Sequence, residues 1–243
     1  MKIAILGAMS EEIELLLKVI GNYEKIDYAK NAFYKASYAG HELVIAYSKI
    51  GKVNAALTAT IMIEKFGCEK LIFTGVAGAL NEGLKIGDML YATTTAQHDL
   101  DITAFGHPHG YVPGINIYEN SDEALNSVAI SVASDMGINL ASGVVATGDQ
   151  FICNESKKEW IKSTFNADAV EMEGASVAQV CAALEQLPER DYSLHAKPTF
   201  IISNTVKGKG VDFMEGNHKW HGGGIAKEQL DAALESVAKN RRV

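Results

Sequence analysis

Arginine is missing from residues 1–189; the three arginines of this 243-residue chain are Arg190, Arg241 and Arg242. Lysines are plentiful over the same stretch. Cationic charge is therefore available there, but not the planar guanidinium fork that grips carboxylates and phosphates through paired hydrogen bonds. Positive charge is short overall. The formal net charge of −8 argues against nucleic acid or an anionic membrane as partner. Long apolar runs are also lacking, and none reaches the ~20 residues of a membrane span. The opening MKIAILGAMSEE has no basic region ahead of a long apolar core and meets acids at once, so no secretory signal is expected. Cysteine is scarce. Cys68, Cys153 and Cys181 are scattered and odd in number, which fits reduced thiols in a cytoplasm and not a disulfide framework. No Cys/His spacing has the form of a metal site, and neither metal nor cofactor is expected. There is no internal repeat and no low-complexity tract.

What is present is apolar content in short, well-spaced runs. Hydrophobic residues make up 47% of the chain and aromatics 8%, enough for a sizeable core. The length suits one α/β domain. KIAILG (2–7) reads as a buried strand closed by Gly7. Ile13, Leu16, Leu17 and Ile20 then recur at helical spacing, with Ser10 as the expected N-cap and Glu11 and Glu12 favoured in the first turn. Two apolar stretches, 32–39 and 42–48, flank Gly40-His41 as a hairpin. A buried helix is expected over Asn54–Phe66, a strand over 70–75 and another over 87–95. A polar loop of a length usually reserved for function or an interface runs from His98 to Gly114. The second half repeats the alternation: helix from about Ser121 to Met136, strand 142–147, helix around Glu155–Phe165, strand 168–173, and a helix opened by Gly174. A strand after Pro198, a glycine-rich loop and a helix over about 227–239 close the chain. This alternation predicts an α/β fold with a mostly parallel or mixed sheet and helices on both faces.

In such sheets ligands gather beyond the carboxyl ends of the strands. Four strand ends carry chemistry-bearing residues: Gly7-Ala8-Met9-Ser10-Glu11-Glu12, Thr74-Gly75-Val76-Ala77-Gly78, Gly148-Asp149-Gln150-Phe151 and Val170-Glu171-Met172-Glu173-Gly174. Acids in a first helical turn are usually partners of the helix dipole, and a Val-Ala-Gly-Ala run is usually a tight strand-to-helix turn. Glu-Met-Glu is more informative. At the end of an apolar strand a carboxylate is partly desolvated, and no arginine stands nearby in sequence to pair it. A ligand role and a structural role are equally open for it.

Together GAMSEE, SKIGKVNAA, FTGVAGAL, HDLDITAFG, ATGDQFI and AVEMEGASVAQVC resemble, in order and spacing, the 5′-methylthioadenosine/S-adenosylhomocysteine nucleosidases. The type that also hydrolyses 6-amino-6-deoxyfutalosine is the most similar. The resemblance covers residues 1–183. It implies a three-layer α/β/α, nucleoside phosphorylase-like sandwich, a cytoplasmic homodimer, and irreversible hydrolysis of adenine from a ribosyl thioether in methionine salvage and menaquinone biosynthesis. By position, Glu12 resembles the carboxylate that activates the attacking water. Glu173 resembles the one that binds the ribose hydroxyls, with Met172 against the sugar. Ala77, Gly78, Phe151 and Ile152 resemble adenine and ribose walls, and Ile50 a contact near the 5′ group. Ile102, Phe105 and Pro113 resemble loop residues that cap the partner subunit's 5′ pocket. Glycoside cleavage passes through an oxocarbenium-like state, which nearby carboxylates stabilise. A phosphorylase would need donors for phosphate, and the absence of arginine before residue 190 weighs against that reading.

Beyond Ala183 the family pattern stops. Aligned on Pro198, the last strand places Ser203, Val206 and Lys207 where the family has Arg, Ser and the Asp that protonates the leaving adenine. KPTFIISNTVKGKGVDFMEGNHKWHGGGIAKEQLDAAL resembles instead the N-terminal subunit of transketolase. The thiamine-diphosphate signature is absent, so His221, which resembles an active-site histidine of that family, is read as a loop residue. The expectation is one domain over 1–243 that is completed by a foreign-looking segment, 184–243, of strand, loop and helix. The resemblance then implies impaired hydrolysis, an inactive nucleoside-binding protein, or a hybrid without function.

Overall fold

The computed structural model describes residues 1–185, 212–214 and 227–240. The chain divides into two compact units, Met1–Pro188 and Glu189–Val243.

The first unit is a mixed α/β fold built on two five-stranded sheets. One has the order β2 (Glu24–Tyr28), β3 (Asn31–Tyr38), β4 (His41–Tyr47), β1 (Lys2–Gly7), β5 (Lys70–Phe73); the other runs β6 (Gly78–Ala79), β10 (Ala169–Glu171), β9 (Leu140–Thr147), β7 (Met89–Gln97), β8 (Tyr118–Asn120). The central pairings β1–β4, β1–β5, β7–β9 and β9–β10 are parallel. The edges are antiparallel, including the expected β3–β4 hairpin.

The two-residue period of a strand explains the layering. In β1 and β4, Ile3, Ile5, Leu43 and Ile45 pack with Ile13, Leu16, Leu17 and Ile20 of α1 (Ser10–Ile20). Their alternates Ala4, Leu6, Val44 and Ala46 pack on the other side with Ala55, Ala59 and Met62 of α2 (Lys52–Glu64) and Val177 of α5 (Gly174–Glu185). In the second sheet, Ala96, Ala146 and Val170 meet Ile161 and Phe165 of α4 (Glu155–Phe165). On the opposite face of β7, Gln97 donates to Gln179 of α5 at 2.6 Å. Helix α5 thus backs both sheets, and the expected three layers are present. Helix α3 (Glu123–Asp135) is capped by Asp122, whose side chain accepts the Leu125 N–H.

Several local readings are corrected. Ser10 is not the N-cap of α1. Met9 holds that place in extended conformation, and the Glu12 carboxylate accepts the Met9 N–H, the reciprocal half of a capping box. The expected strand 168–173 stops at Glu171, so Met172 and Glu173 stand in a bend. The strand expected over 87–95 lies two residues later. Strand β2 was not foreseen. Its sequence EKIDY buries little more than Ile26, and an exposed edge strand leaves no apolar alternation to read. Helix α2 is not buried throughout, since Val53 is 78% and Leu57 53% exposed. None of the three cysteines is in a disulfide among the described residues, and burial pushes the Cys68 thiol up to about 11. No described helix is long and apolar enough to cross a membrane.

In the second unit, α6 (Lys227–Asn240) buries Ala233 with Met214, and the Asp212 N–H donates to Ser236 Oγ at 2.7 Å. The strand expected after Pro198 and positions 203, 206, 207 and 221 lie outside the described residues.

Candidate active site

Three carboxylates collect at the carboxyl ends of β1 and β10. Glu12 lies one turn into α1, and its short helical reach folds it back over the end of β1. Its Oε2 accepts N–H groups from Ala8 at 2.7 Å and Met9 at 2.9 Å, and its Oε1 accepts the Val76 N–H at 3.0 Å. The carboxylate therefore ties the end of β1 to the turn after β5. Gly75 makes room for it, since a Cβ there would fall 2.6 Å from Glu12 Oε1. Each carboxylate oxygen has two acceptor directions, so Oε1, engaged by one N–H, keeps one for a water.

Glu173 is buried and its Oε1 accepts the Gly51 N–H at 2.6 Å, at the N-terminal end of α2. Burial pushes its carboxyl above the usual 4.5. The Gly51 N–H opposes that shift, while the charges of Glu171 and Glu12 add to it. Glu171, one pleat back, bonds the Thr147 hydroxyl and accepts N–H groups from Glu173 and Gly174. Burial raises its carboxyl too, against the pull of these donors. Backbone dipoles hold this cluster without lysine or arginine bound to any of the three carboxylates among the described residues. Such a field favours a developing cation.

Beside it lies a different arrangement. Lys52 Nζ reaches Asp99 Oδ1 at 2.7 Å and Gln97 Oε1 at 3.0 Å. Asp99 Oδ2 accepts the Asp149 N–H, and Asp149 Oδ1 accepts the Lys52 N–H, both at 2.8 Å. The ring closes on the start of α2, next to Gly51. Burial pushes the Asp99 carboxyl up, but Lys52 and the Asp149 N–H outweigh it and hold the group below its usual range. His98 next to Asp99 is fully buried against Gly148 with neither ring nitrogen bonded, and burial lowers its pKa.

Of the residues expected at the site, Glu12 stands at the end of β1 and Glu173 just past the end of β10, where the Glu12 charge helps raise the Glu173 carboxyl, and Met172 is half-buried between Glu171 and Glu173 in the chain. Gly78 is exposed and pairs with Val170 of β10; Ala77 is exposed in the adjoining turn. Ile50 is 55% and Phe151 85% exposed. Ile152 is half-buried and packs against the core cluster that includes Ile161 and Phe165 of α4. Ile102 is half-buried, and Phe105 and Pro113 are exposed on the 98–114 loop. That loop folds back on α4, where the His109 ring meets Trp160 edge-on at 5.1 Å. Sequence reasoning missed Glu171, the Gly51 N–H and the Lys52–Asp99–Asp149 ring. Glu171 was within reach, being the strand-side acid of Glu-Met-Glu. A backbone donor and a ring drawn from three distant segments leave no local signal. Among the described residues no cluster of His, Cys, Asp and Glu is arranged to hold a metal ion.

Parallel strands whose carboxyl ends carry acids define a class that comparison with known proteins resolves. The chain belongs to the phosphorylase superfamily, whose model matches residues 2–188. Within it the relatives are nucleosidases. An aminodeoxyfutalosine nucleosidase of Campylobacter jejuni is 63% identical over 185 residues, covering 76% of this chain and 81% of that protein. A 5′-methylthioadenosine/S-adenosylhomocysteine nucleosidase of Bacillus cereus is 41% identical over 187 residues, with the same coverage. The crystal structure of a C. jejuni 5′-methylthioadenosine/S-adenosyl homocysteine nucleosidase matches at a TM-score of 0.75 and 63% identity, covering 76% of this chain and 81% of that one. A Helicobacter pylori nucleosidase mutant with 5′-methylthioadenosine in its active site matches at 0.74 and 48% identity, covering 76% and 80%.

Proposed function

We propose that this chain binds adenine nucleosides at the ends of β1 and β10 and hydrolyses their N-glycosidic bond slowly. The substrates are 5′-methylthioadenosine, S-adenosylhomocysteine and 6-amino-6-deoxyfutalosine. The observation that carries the reading is the pair Glu12 and Glu173, both fixed by backbone N–H groups at neighbouring strand ends, with no cation on either among the described residues. Glu173 Oε1 is taken by Gly51, which leaves Oε2 for the ribose 2′- and 3′-hydroxyls. Glu12 Oε1 accepts a proton from a water that attacks the anomeric carbon as the bond to adenine breaks. The relatives' activities support the same chemistry.

Adenine leaves poorly without gaining a proton. Lys207 stands where the family has its aspartic acid. With a reference pKa of about 10.4, lysine is a weak acid at neutral pH, and its charge opposes a cationic sugar. A general acid contributes about 10²–10⁴-fold, so loss of that order supports slow turnover, or at the limit binding alone. The segment from about residue 184, similar to the transketolase subunit, makes the chain a hybrid in this reading. The loop 98–114, carrying Phe105 and Pro113 exposed, covers the partner's 5′ pocket in a homodimer, and the odd number and scattered placing of the cysteines support a cytoplasmic setting. Light scattering at micromolar concentration tests the dimer, which a monomer overturns. Adenine release from 5′-methylthioadenosine, followed by chromatography under single-turnover conditions, tests the chemistry. Slow release that Glu12→Gln abolishes is expected; rapid release by the parent chain contradicts the role given to position 207.

A further inference from the structure

The bend that carries Met172 and Glu173 has no sheet to shape it. Strand β10 ends at Glu171 and α5 begins at Gly174, so the N–H groups of residues 173, 174 and 175 fall where neither sheet nor helix supplies acceptors. One side-chain pair takes all three. Glu171 Oε2 accepts from Glu173 N at 2.8 Å and from Gly174 N at 2.7 Å. Its Oε1 bonds the fully buried Thr147 hydroxyl, and Thr147 Oγ1 accepts from Ala175 N at 2.8 Å. Thr147 closes β9, so the bend is anchored to the neighbouring strand through this one carboxyl. The Gly148 N–H adds a bond to the Glu171 carbonyl at 3.2 Å. Gly174 leaves the space, since a Cβ there would lie 3.3 Å from Glu171 Oε1.

We propose that Glu171 is a positioning residue of the site: by collecting the Glu173 and Gly174 N–H groups and the Thr147 hydroxyl, it sets where the Glu173 carboxylate stands against Gly51 and the sugar. This rests on the nucleosidase reading for its effect on substrate, though not for its effect on the bend. Glutamine replaces the group well. Its carbonyl oxygen accepts both N–H groups, and its amide donates to Thr147 Oγ1, whose hydroxyl rotates to allow it. Alanine leaves both donors loose, and a misplacement of about 1 Å at a binding group is worth up to about 10²-fold.

The experiment compares the parent chain with Glu171→Gln, Glu171→Ala and Thr147→Val. Calorimetry and single-turnover kinetics with 5′-methylthioadenosine report on the site, and amide hydrogen exchange of the 170–177 peptide reports on the bend without any ligand. Glu171→Ala is expected to weaken nucleoside binding about tenfold or more, with the loss in half-saturating concentration and little in maximal rate, and to speed exchange across the bend. Glu171→Gln keeps both close to the parent, and Thr147→Val falls between. Should the alanine variant not fold, Thr147→Val against Glu171→Gln carries the same contrast. If the parent binds no nucleoside, the nucleosidase reading fails while exchange still decides the anchoring role. Unchanged exchange and binding in Glu171→Ala, or a glutamine variant as impaired as the alanine one, overturns the proposal.

Discussion

The acids around the start of α2 are neutralised in two opposite ways. Asp99 has a lysine on one oxygen and a backbone N–H on the other, and these hold its carboxyl below the usual range. Glu171 and Glu173, at the end of β10, have only N–H and hydroxyl donors among the described residues, and burial holds both above it. The first arrangement is the one that stability favours. The second keeps buried negative charge without a counter-ion, a cost of folding that makes sense where a ligand supplies the missing partner. Donors from ribose and a cationic transition state fit that place. The ring around Lys52 therefore reads as framework, Glu171 as the anchor of the bend, and Glu173 as the acid left with an oxygen to offer.

The contrast breaks down if the glutamates prove to be structural or Asp99 proves to be chemical, and four substitutions probe it. Glu12→Gln has the largest expected effect. Single-turnover hydrolysis falls about 10²–10⁴-fold while nucleoside affinity stays within a few-fold. Glu173→Ala comes next, weakening binding by about 1.5–3 kcal/mol as read by calorimetry; binding as tight as the parent's removes Glu173 from the site. In the parent that binding weakens as pH falls through the raised pKa of Glu173, because the protonated carboxyl loses acceptor strength. Asp99→Asn lowers stability by about 1–3 kcal/mol at neutral pH with hydrolysis per folded molecule unchanged. Because the folded pKa of Asp99 lies below its usual 3.8, this contribution is present above pH 3.8 and disappears as pH falls through the lower folded value. Glu171→Gln is the smallest effect and has the opposite sign. A group whose folded pKa exceeds its usual 4.5 favours folding below pH 4.5 and loses that contribution as pH rises through the folded value. The glutamine variant therefore melts higher than the parent near neutral pH, and the gap closes in acid. Thermal melts across pH check both signs.

Much of the framework was readable from apolar spacing. Ile3, Ile5, Leu43 and Ile45 face α1 and their alternates face α2 because a strand repeats every two residues. Ile13, Leu16, Leu17 and Ile20 form the stripe that meets them. Glu12 and Glu173 were readable as acids at strand ends, and the motifs around them carried the family. What escaped was set by tertiary partners. Ser10 has the side chain of an N-cap, yet Glu12 satisfies the Met9 N–H while bridging to Val76, a contact 64 residues away. Strand β2 forms on an exposed edge where polar residues alternate with little cost. The strand at 168–173 is shorter than its composition suggests because Met172 and Glu173 continue that composition while the Glu173 and Gly174 N–H groups bond the Glu171 side chain instead of a neighbouring strand.

Under the proposed function, Lys207 takes the sequence position of the leaving-group acid. Adenine release from 5′-methylthioadenosine in single turnover, with the parent chain beside Lys207→Asp, decides this. Slow release by the parent is expected, with faster release by the aspartate variant that rises further when Ser203→Arg and Val206→Ser are added. Rapid release by the parent, or no gain from restoring the acid, overturns it.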